Sequence, residues 1–403
     1  MTSTPYDQPQ HTPLHRAKKG NPVDTNYDAV VIGLGAMGSA TLYHLAQRGN
    51  RALGLEMFEP GHNQGSTHGP HRLIRSSTFS DDGYVPLAAR ALQLWQDLAD
   101  ASGTDLVHMN GEVRILDPAS SPGGFRNAGA MVERGFLEWL PEQELAARFP
   151  GVRPGDGMAA TWEQNAGYIR CEQGILTHLD QARQHGAQVR ASEPVTGFTP
   201  DGAGWRVNTA QGSYRTDRVI VTTGPWAAEF LGDLGFPMQV QRRVNAYFRP
   251  TRPDWWTEEA GAPNFLLDVP EGHFYGMPAT GNVGVKIGIS AGPVTTARTI
   301  DRTIAPEEMT FFRDVLDRYL PGSTGEVVAQ STCMCTYTVD GDFIVDLHPQ
   351  QPGVVLGCGF SGRGFKFAPV VGEILADLAI NGETAHDIAF LSAGRFAESA
   401  ALV

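Results

Sequence analysis

The segment from Tyr27 to Glu56 sets the strongest constraint on how this chain can fold. It reads YDAVVIGLGAMGSATLYHLAQRGNRALGLE, in which a short apolar run ending at Ile32 leads directly into the glycine motif GLGAMG, residues 33–38. Apolar residues then recur at helical spacing up to Gln47, and the later run ALGL ends in Glu56. The segment therefore predicts a strand, a helix and a second strand, the βαβ unit of nucleotide-binding folds.

The glycines of this motif predict a dinucleotide-binding turn. Gly33 and Gly35 let the backbone turn sharply and approach a pyrophosphate, and Gly38 lets the helix pack closely on the strand. The N–H groups at the helix start face the diphosphate, and Glu56 accepts a hydrogen bond from an adenosine ribose hydroxyl. The motif does not distinguish FAD from NAD, and an ordinary strand-to-helix turn is the structural alternative. The candidate residues here are Gly33, Gly35, Ala36, Met37, Gly38 and Glu56.

Length and charge limit the class of protein. At 403 residues the chain is long for one hydrophobic core, so we expect two domains. The net charge of −13 argues against general nucleic-acid binding, and no run approaches the ~20 apolar residues of a membrane span. Residues 1–26 are polar and lack the apolar core of a signal peptide, so we expect a disordered N-terminal extension.

The cysteines indicate a reducing environment. They are too few and too irregularly spaced for a disulfide framework: Cys171, Cys333, Cys335 and Cys358. A cytoplasmic location fits this pattern. The two central cysteines have the spacing C-x-C, and no second pair completes a zinc site, so we expect no metal.

The order of patterns along the chain predicts a discontinuous first domain. The apolar run Val219 to Thr222 leads into Gly224, and a glycine-rich turn at residues 359–367 precedes a helix near Pro369. Both patterns are typical of strand ends that line a nucleotide crevice. Between residues 237 and 320, strands of alternating character indicate an antiparallel sheet with one face covered. We therefore assign a cofactor domain to residues 27–106, 161–235 and 326–395, and a substrate domain to residues 107–160 and 236–325.

Four motifs in a fixed order give the sequence a resemblance to a known family. They are GLGAMG, GSTHGPHRLIR with YVPLAARALQLW, CMCTYTVDGDFIVD, and GFSGRGFKF before a helix. Over residues 27–395 the sequence resembles the monomeric sarcosine oxidases and N-methyl-L-tryptophan oxidases, flavoenzymes that oxidise N-methyl and cyclic secondary amino acids. The resemblance implies an α/β fold with a glutathione-reductase-like FAD-binding domain around a parallel sheet, and an α+β substrate domain with an antiparallel sheet. It also implies a cytoplasmic monomer that binds FAD and reacts with a small amine and O2.

The resemblance further implies a covalent flavin. In the family, a cysteine just before the segment that corresponds to DFIVD is joined to the 8α-methyl group of FAD, and this places the bond at Cys333. Cys335 falls where relatives usually carry a tyrosine, so it is the weaker candidate. A thiolate is the reactive form, and nearby cations lower the pKa of a thiol. On the residues alone, the favoured interpretation of Cys333 is a small buried apolar residue.

Other site residues follow from the same resemblance. Arg72 lies against the flavin, and Arg75 with Lys366 binds the substrate carboxylate, a task suited to an arginine fork and a lysine charge. Lys286 matches the family lysine that promotes the reaction of reduced flavin with O2, although strand alternation also allows it to face outward. We assign catalytic roles to Lys286, Arg72 and Tyr275. Arg72 and Lys366 also contact the cofactor, and the remaining cofactor-binding candidates are Ser66, Thr67, His68, Gly362, Gly364 and Phe365.

The sequence departs from the family in the side-chain pocket. Ser290 stands where the family often has a histidine, and Ser80 stands where sarcosine oxidases have an acidic residue. Cys335 replaces an aromatic side chain. We expect these small residues to enlarge the pocket, and they leave the identity of the amine undetermined.

The expected reaction is oxidation of the C–N bond of a secondary amino acid to an imine, which hydrolyses, while O2 becomes H2O2. The substrate amine must lose a proton, for which His68 and Tyr275 are the candidates. Two other classes stay open. One is an FAD-dependent dehydrogenase that passes electrons to a carrier, and the other is a non-catalytic flavin-binding subunit.

Overall fold

The computed structural model describes residues 26–77 and 82–396. The expected N-terminal extension lies outside these residues, apart from Asn26, which begins the first strand. Ser80 also lies outside them.

Helices and strands are distributed along the whole described chain. The helices are α1 Ala36–Gln47, α2 Tyr84–Ser102, α3 Pro122–Glu133, α4 Glu142–Arg148, α5 Cys171–Gln184, α6 Ala227–Phe230, α7 Pro253–Trp256, α8 Pro306–Tyr319 and α9 Ala368–Asn381. The strands are β1 Asn26–Ile32, β2 Ala52–Leu55, β3 His71–Ile74, β4 Val107–His108, β5 Glu112–Leu116, β6 Glu138–Trp139, β7 Ala159–Glu163, β8 Gly167–Arg170, β9 Gln188–Arg190, β10 Val195–Asp201, β11 Gly204–Thr209, β12 Gly212–Val221, β13 Met238–Phe248, β14 Asn264–Val269, β15 Gly272–Met277, β16 Val285–Ile289, β17 Val294–Thr295, β18 Val327–Thr338, β19 Ile344–Leu347 and β20 Val354–Cys358. Within the described residues, none of these helices has both the length and the apolar character needed to cross a bilayer.

The first sheet contains the predicted strand–helix–strand unit. Its order is β10-β11-β12-β1-β2-β9, with β20 beside β12 and β19 beside β20. β1 runs parallel to β2 and β12, and β12 runs parallel to β20. Val30 and Val31 in β1 are fully buried on opposite faces, as expected for a parallel sheet covered on both sides. Helices α1, α5 and α9 pack together with this sheet, so the glycine motif lies at the edge where its strands end.

The second sheet is largely antiparallel. Its order is β17-β13-β16-β15-β14-β5-β7-β6, and β18 pairs with β13. One pair, β14 with β5, is parallel. Phe312, Val315 and Leu316 of α8 share a hydrophobic core with its strands, so one face is covered by a helix. The predicted class, an α/β fold with a parallel sheet and a second, antiparallel sheet, is confirmed.

Two of the predicted domain boundaries need correction. β18 falls after the expected boundary at residue 326, yet it pairs along its length with β13 in the second sheet. Likewise Thr161, Trp162 and Glu163 of β7 pair with β5, although the boundary at 161 places them in the cofactor domain. Strand alternation is the same in both sheets, so it does not reveal which sheet a strand will join. The division into two domains otherwise stays a prediction.

The long segment after Glu56 contributes one strand to a third, small sheet. Its order is β3-β8-β4, and Arg72 of β3 pairs with Ile169 of β8. Leu73 pairs with Tyr168, which is fully buried. The backbone of the long segment after Glu56 is thereby fixed at Arg72.

Two glycines of the motif are required by close backbone approach. Gly33 has φ +89°, and a Cβ there would lie 2.7 Å from the carbonyl oxygen of Thr222. A Cβ at Gly38 would lie 1.8 Å from the carbonyl oxygen of Gly33. Since both obstacles are backbone atoms, neither can move aside as a flexible side chain would. The first turn of α1 is therefore held against the ends of β1 and β12.

We predict that Gly38→Ala destabilises the protein by about 2–3 kcal/mol, because the new methyl group overpacks a contact between main-chain atoms. The matched control is Gly129→Ala in α3, where a Cβ would meet nothing within 4 Å. That change should alter stability by no more than ~1 kcal/mol. Thermal unfolding of both variants tests this, and equal Tm values for the two would contradict the packing described for Gly38.

Candidate active site

One large cavity is lined by residues from both larger sheets, and its volume is about 1010 Å³. Most of the predicted site residues line it, although they come from distant parts of the chain. These are Gly33, Gly35, Ala36, Met37, Glu56, Ser66, Thr67, Arg72, Arg75, Tyr275, Cys333, Gly362, Gly364, Phe365 and Lys366. Gly38, His68 and Lys286 are instead buried behind its wall. Among the residues that the structure describes, no group of three or more His, Cys, Asp or Glu side chains could hold a metal ion.

The glycine-motif end of the cavity fits the diphosphate and ribose of FAD. A Cβ at Gly35 would meet only Thr67 Oγ1, at 3.8 Å, so the space above this backbone is open to the cavity. The Glu56 carboxylate is fixed by the N–H of Leu34, which donates to Oε2 at 2.7 Å, and by the N–H of Phe58, which donates to Oε1 at 3.0 Å. A fixed carboxylate at the end of β2 is suited to accept from ribose hydroxyls.

Cys333 lies on a strand face that points toward the cavity. In the ladder of β13 and β18 it lies directly opposite Arg243, so the two side chains share a face. Cys333 is 3% exposed, and Asn245 Nδ2 lies 3.8 Å from its sulfur. Hydrogen bonds from Cys335 and His68, with the charge of Arg72, hold the pKa of the Cys333 thiol well below its usual range, against the effect of burial. The same hydrogen bond, together with burial, raises the pKa of Cys335.

Arg72 is held in the wall by main-chain carbonyl groups. Its Nη1 donates to the carbonyl oxygen of His71 at 3.0 Å, and its Nη2 donates to that of Ser66 at 3.3 Å. The guanidinium lines the cavity beside Cys333, and its charge acts on that thiol. A cation is thus fixed next to the expected site of the flavin ring.

Arg75 and Lys366 both line the cavity, and Arg75 is already in an ion pair. Its Nη1 lies 3.0 Å from Oε1 of Glu112, a carboxylate that is 3% exposed. Burial, followed by the charges of Arg75 and Arg363, lowers the pKa of Lys366 to about 7. The charge of Arg75 thus acts on Lys366 across the wall of the cavity. The assignment of this pair to the substrate stays a prediction.

Lys286 is fully buried and does not reach the cavity directly. Its Nζ donates to the carbonyl oxygen of His71 at 3.0 Å, the same oxygen that binds Arg72. Nζ also lies 5.8 Å from the ring centroids of Tyr247 and Tyr275. Burial and the charge of Arg72 hold the pKa of Lys286 well below its usual range. Arg72 therefore lies between Lys286 and the cavity, and Lys286 is linked to Arg72 through the carbonyl oxygen of His71.

Sequence reasoning missed the polar residues that β13 contributes. Tyr275 Oη donates to Asn245 Oδ1 at 2.9 Å, and Asn245 in turn contacts Cys333. Arg243 and Tyr337 also line the cavity. The sequence pattern that could have revealed them is the alternation in RRVNAY, residues 242–247. This alternation indicates which residues face the cavity only once the pairing of β13 with β18 is known.

The chain belongs to the family of FAD-dependent oxidoreductases, since residues 28–378 match the family described as "FAD dependent oxidoreductase". It is 38% identical to the monomeric sarcosine oxidase of Streptomyces avermitilis, over 93% of this chain and 99% of that protein. It is 33% identical to the N-methyl-L-tryptophan oxidase of Escherichia coli O157:H7, over 92% of this chain and 99% of that protein. The structure of NikD, an amino acid oxidase essential for nikkomycin biosynthesis, superimposes with a TM-score of 0.79 at 26% identity, covering 91% of this chain and 97% of that one. The resemblance inferred from the motifs is thus confirmed.

We predict that the affinity for a simple carboxylate falls as pH rises through the pKa of Lys366, which is about 7. Because burial lowers this pKa, the ammonium charge is lost near neutrality instead of at high pH. From about pH 7 to about pH 9 the Kd for propionate, which has no amine of its own, should rise by up to about tenfold per unit. Lys366→Arg keeps its charge throughout this range and should give a much flatter profile. Calorimetric titration measures both, and parallel profiles for the two proteins would contradict the role of Lys366.

Proposed function

We propose that this protein is an FAD-dependent oxidase of secondary amino acids, with N-methyl or cyclic substrates. It would convert the C–N bond to an imine, which hydrolyses in water, and O2 would become H2O2. The observation that carries the proposal is a single cavity lined by the glycine turn, Arg72, Cys333 and the cations Arg75 and Lys366. The names of the relatives, monomeric sarcosine oxidase and N-methyl-L-tryptophan oxidase, support the same substrate class.

The protein's own part in this reaction is binding and positioning. Bound FAD supplies the two-electron acceptor, so no protein nucleophile is needed. Lys366 and Arg75 bind the substrate carboxylate, and Arg75 exchanges its contact with Glu112 for one with the substrate. The Tyr275 hydroxyl, oriented by Asn245, faces the substrate amine from the second sheet. With the carboxylate fixed, the C–N bond is held in one orientation in the cavity.

We also propose that Cys333 forms a thioether with the 8α-methyl group of FAD. The bond forms with loss of one hydrogen from the thiol and one from the methyl group, and O2 takes up both as H2O2. The lowered pKa of Cys333 supports this assignment, because the thiolate is the nucleophile. The four described cysteines are free thiols, which fits a cytoplasmic protein, and the relatives' name supports a monomer.

Lys286 is proposed to promote the reaction with O2. Lys286 lies behind Arg72, and in its protonated form it adds a second positive charge beside the flavin site. A negative charge that develops on O2 favours this protonated form and is stabilised by it. The shared carbonyl oxygen of His71 holds the side chains of Arg72 and Lys286 in a fixed relation.

We expect precipitation with acid to separate Cys333→Ala from the wild-type protein. In the wild type the yellow colour should stay with the precipitate, and in Cys333→Ala it should move to the supernatant. The matched control is Cys358→Ala, which removes another buried free thiol that does not line the cavity, and it should keep the colour in the precipitate. Release of free FAD from the wild type, or from both variants alike, would contradict the assignment of the covalent bond to Cys333.

Lys286→Met should distinguish an oxidase from a dehydrogenase that uses an electron carrier. We expect its reduced flavin to react with O2 ~100-fold more slowly, while anaerobic reduction by substrate is little changed. Stopped-flow mixing with O2 after anaerobic reduction measures this step. An unchanged rate with O2 would contradict the role of Lys286.

The substrate class itself is tested by H2O2 release from matched amines. We expect release from sarcosine, N-methyl-L-tryptophan, L-proline or pipecolate, and little from the corresponding primary amino acids glycine and tryptophan. Release from the primary amino acids alone would contradict the proposal for secondary amines.

A further inference from the structure

Arg243 is a buried cation in the cavity wall that the proposed reaction does not use. It is 3% exposed, lies in β13 opposite Cys333, and lines the cavity. Its Nη2 donates to the hydroxyl oxygen of Tyr337 at 2.6 Å, and its guanidinium carbon lies 5.0 Å from the centroid of that ring. The two side chains thus form one unit, here called the Arg243–Tyr337 pair.

This pair has hydrogen-bond donors that are available to a ligand. Within residues 26–77 and 82–396, Nη1 of Arg243 is buried and has no hydrogen-bond partner. Tyr337 Oη accepts the bond from Arg243, so its own O–H is left to donate. A buried donor without a partner costs free energy, and a buried cation costs more, unless something in the site satisfies it. The pair therefore offers a guanidinium N–H and a phenol O–H for one acceptor group.

The two carboxylates whose charges act on Lys366 are already engaged. Glu112 pairs with Arg75 at 3.0 Å. Glu163 accepts from the N–H groups of Ser76 and Ser77 at 2.8 and 3.0 Å. Across the described residues, Arg243 appears in no ion pair with an acidic side chain. No carboxylate of the described residues neutralises Arg243, so an anion bound in the cavity would be its first carboxylate partner.

The position of the pair puts it on the substrate side of the site. The charge of Arg243 acts on Tyr275 and Cys335, and both of these residues line the same cavity as Lys366. Ser290 and Cys335, the small residues expected to enlarge the pocket, line the same cavity. The space left by these small side chains thus adjoins a cationic, donor-rich wall instead of an apolar one.

We propose that the Arg243–Tyr337 pair is a second anion-binding subsite, which selects secondary amino acids whose side chain ends in a carboxylate. This inference rests on the proposed function and names its substrate class. The α-carboxylate binds at Lys366 and Arg75, while the side-chain carboxylate binds Arg243 Nη1 and the Tyr337 hydroxyl. The amine between them then faces the flavin.

The experiment compares N-methylglutamate with N-methylglutamine, both enantiomers of each, in the purified holoenzyme. The two compounds have nearly the same shape and differ in one charge. The wild type should have a kcat/KM at least ~10-fold higher for the acid, because a charge-assisted hydrogen bond to a buried site is lost with the amide. Arg243→Gln should bring the ratio to within about twofold, mainly by raising KM for the acid, as expected when binding in the ground state is removed. Tyr337→Phe should lower the ratio by a smaller factor.

The matched control is Arg249→Gln, just beyond the end of β13, which removes the same charge from a side chain that is 67% exposed. It should leave the ratio unchanged. A readout independent of turnover is calorimetric binding of glutarate, which Arg243→Gln should weaken ~10-fold or more while propionate binding is kept.

Three results would overturn the inference. Equal use of acid and amide by the wild type, while sarcosine and other secondary amines reduce the flavin, would remove the subsite and leave the proposed function intact. A shift of the flavin reduction potential in Arg243→Gln, with an unchanged acid-to-amide ratio, would assign Arg243 to the cofactor. Failure of every N-methyl amino acid, sarcosine included, to reduce the flavin would remove the proposed function, and this inference with it.

Discussion

The ladder between β13 and β18 is the interaction on which the site depends. These two strands pair from Met238 opposite Thr338 to Phe248 opposite Val327. Alternate residues of β18 face one side, which brings Cys333, Cys335 and Tyr337 together with the polar residues of β13. A shift of the strand pairing by one residue would turn these three side chains of β18 away from the cavity. The thiol, the donors beside it and the cationic wall therefore share one structural cause.

Buried charge is the second common feature of the site. Arg72 and Lys286 are held by one carbonyl oxygen, and Arg75 is held by Glu112. Burial raises the pKa of Glu112, although the Arg75 guanidinium opposes the shift. Burial and the neighbouring cations lower the pKa of Lys366 to about 7. These groups are poorly solvated, so a bound anion should interact with them more strongly than it would in water.

The features that could be predicted from the sequence depended either on short local patterns or on the family resemblance. The βαβ unit from Asn26 to Leu55 was predictable because apolar spacing and glycine positions specify it over a short stretch. The choice of Cys333 over Cys335 rested on the resemblance, and the structure adds a physical difference between the two thiols. The contact between Arg243 and Tyr337 spans 94 residues of sequence, and no local pattern reveals it. The residues of β18 were assigned to the cofactor domain for the same reason, since alternation describes a strand but not its partner, which is β13 of the second sheet.

The most direct test of the account asks whether a carboxylate positions the C–N bond for oxidation. The purified flavoprotein is mixed anaerobically with L-proline or with pyrrolidine, and with sarcosine or with dimethylamine, while the flavin absorbance is followed. If Lys366 and Arg75 orient the substrate, the amino acids that are substrates should bleach the flavin and the amines without a carboxylate should bleach it far more slowly. Equally fast bleaching by an amino acid and its counterpart without the carboxylate would contradict the account.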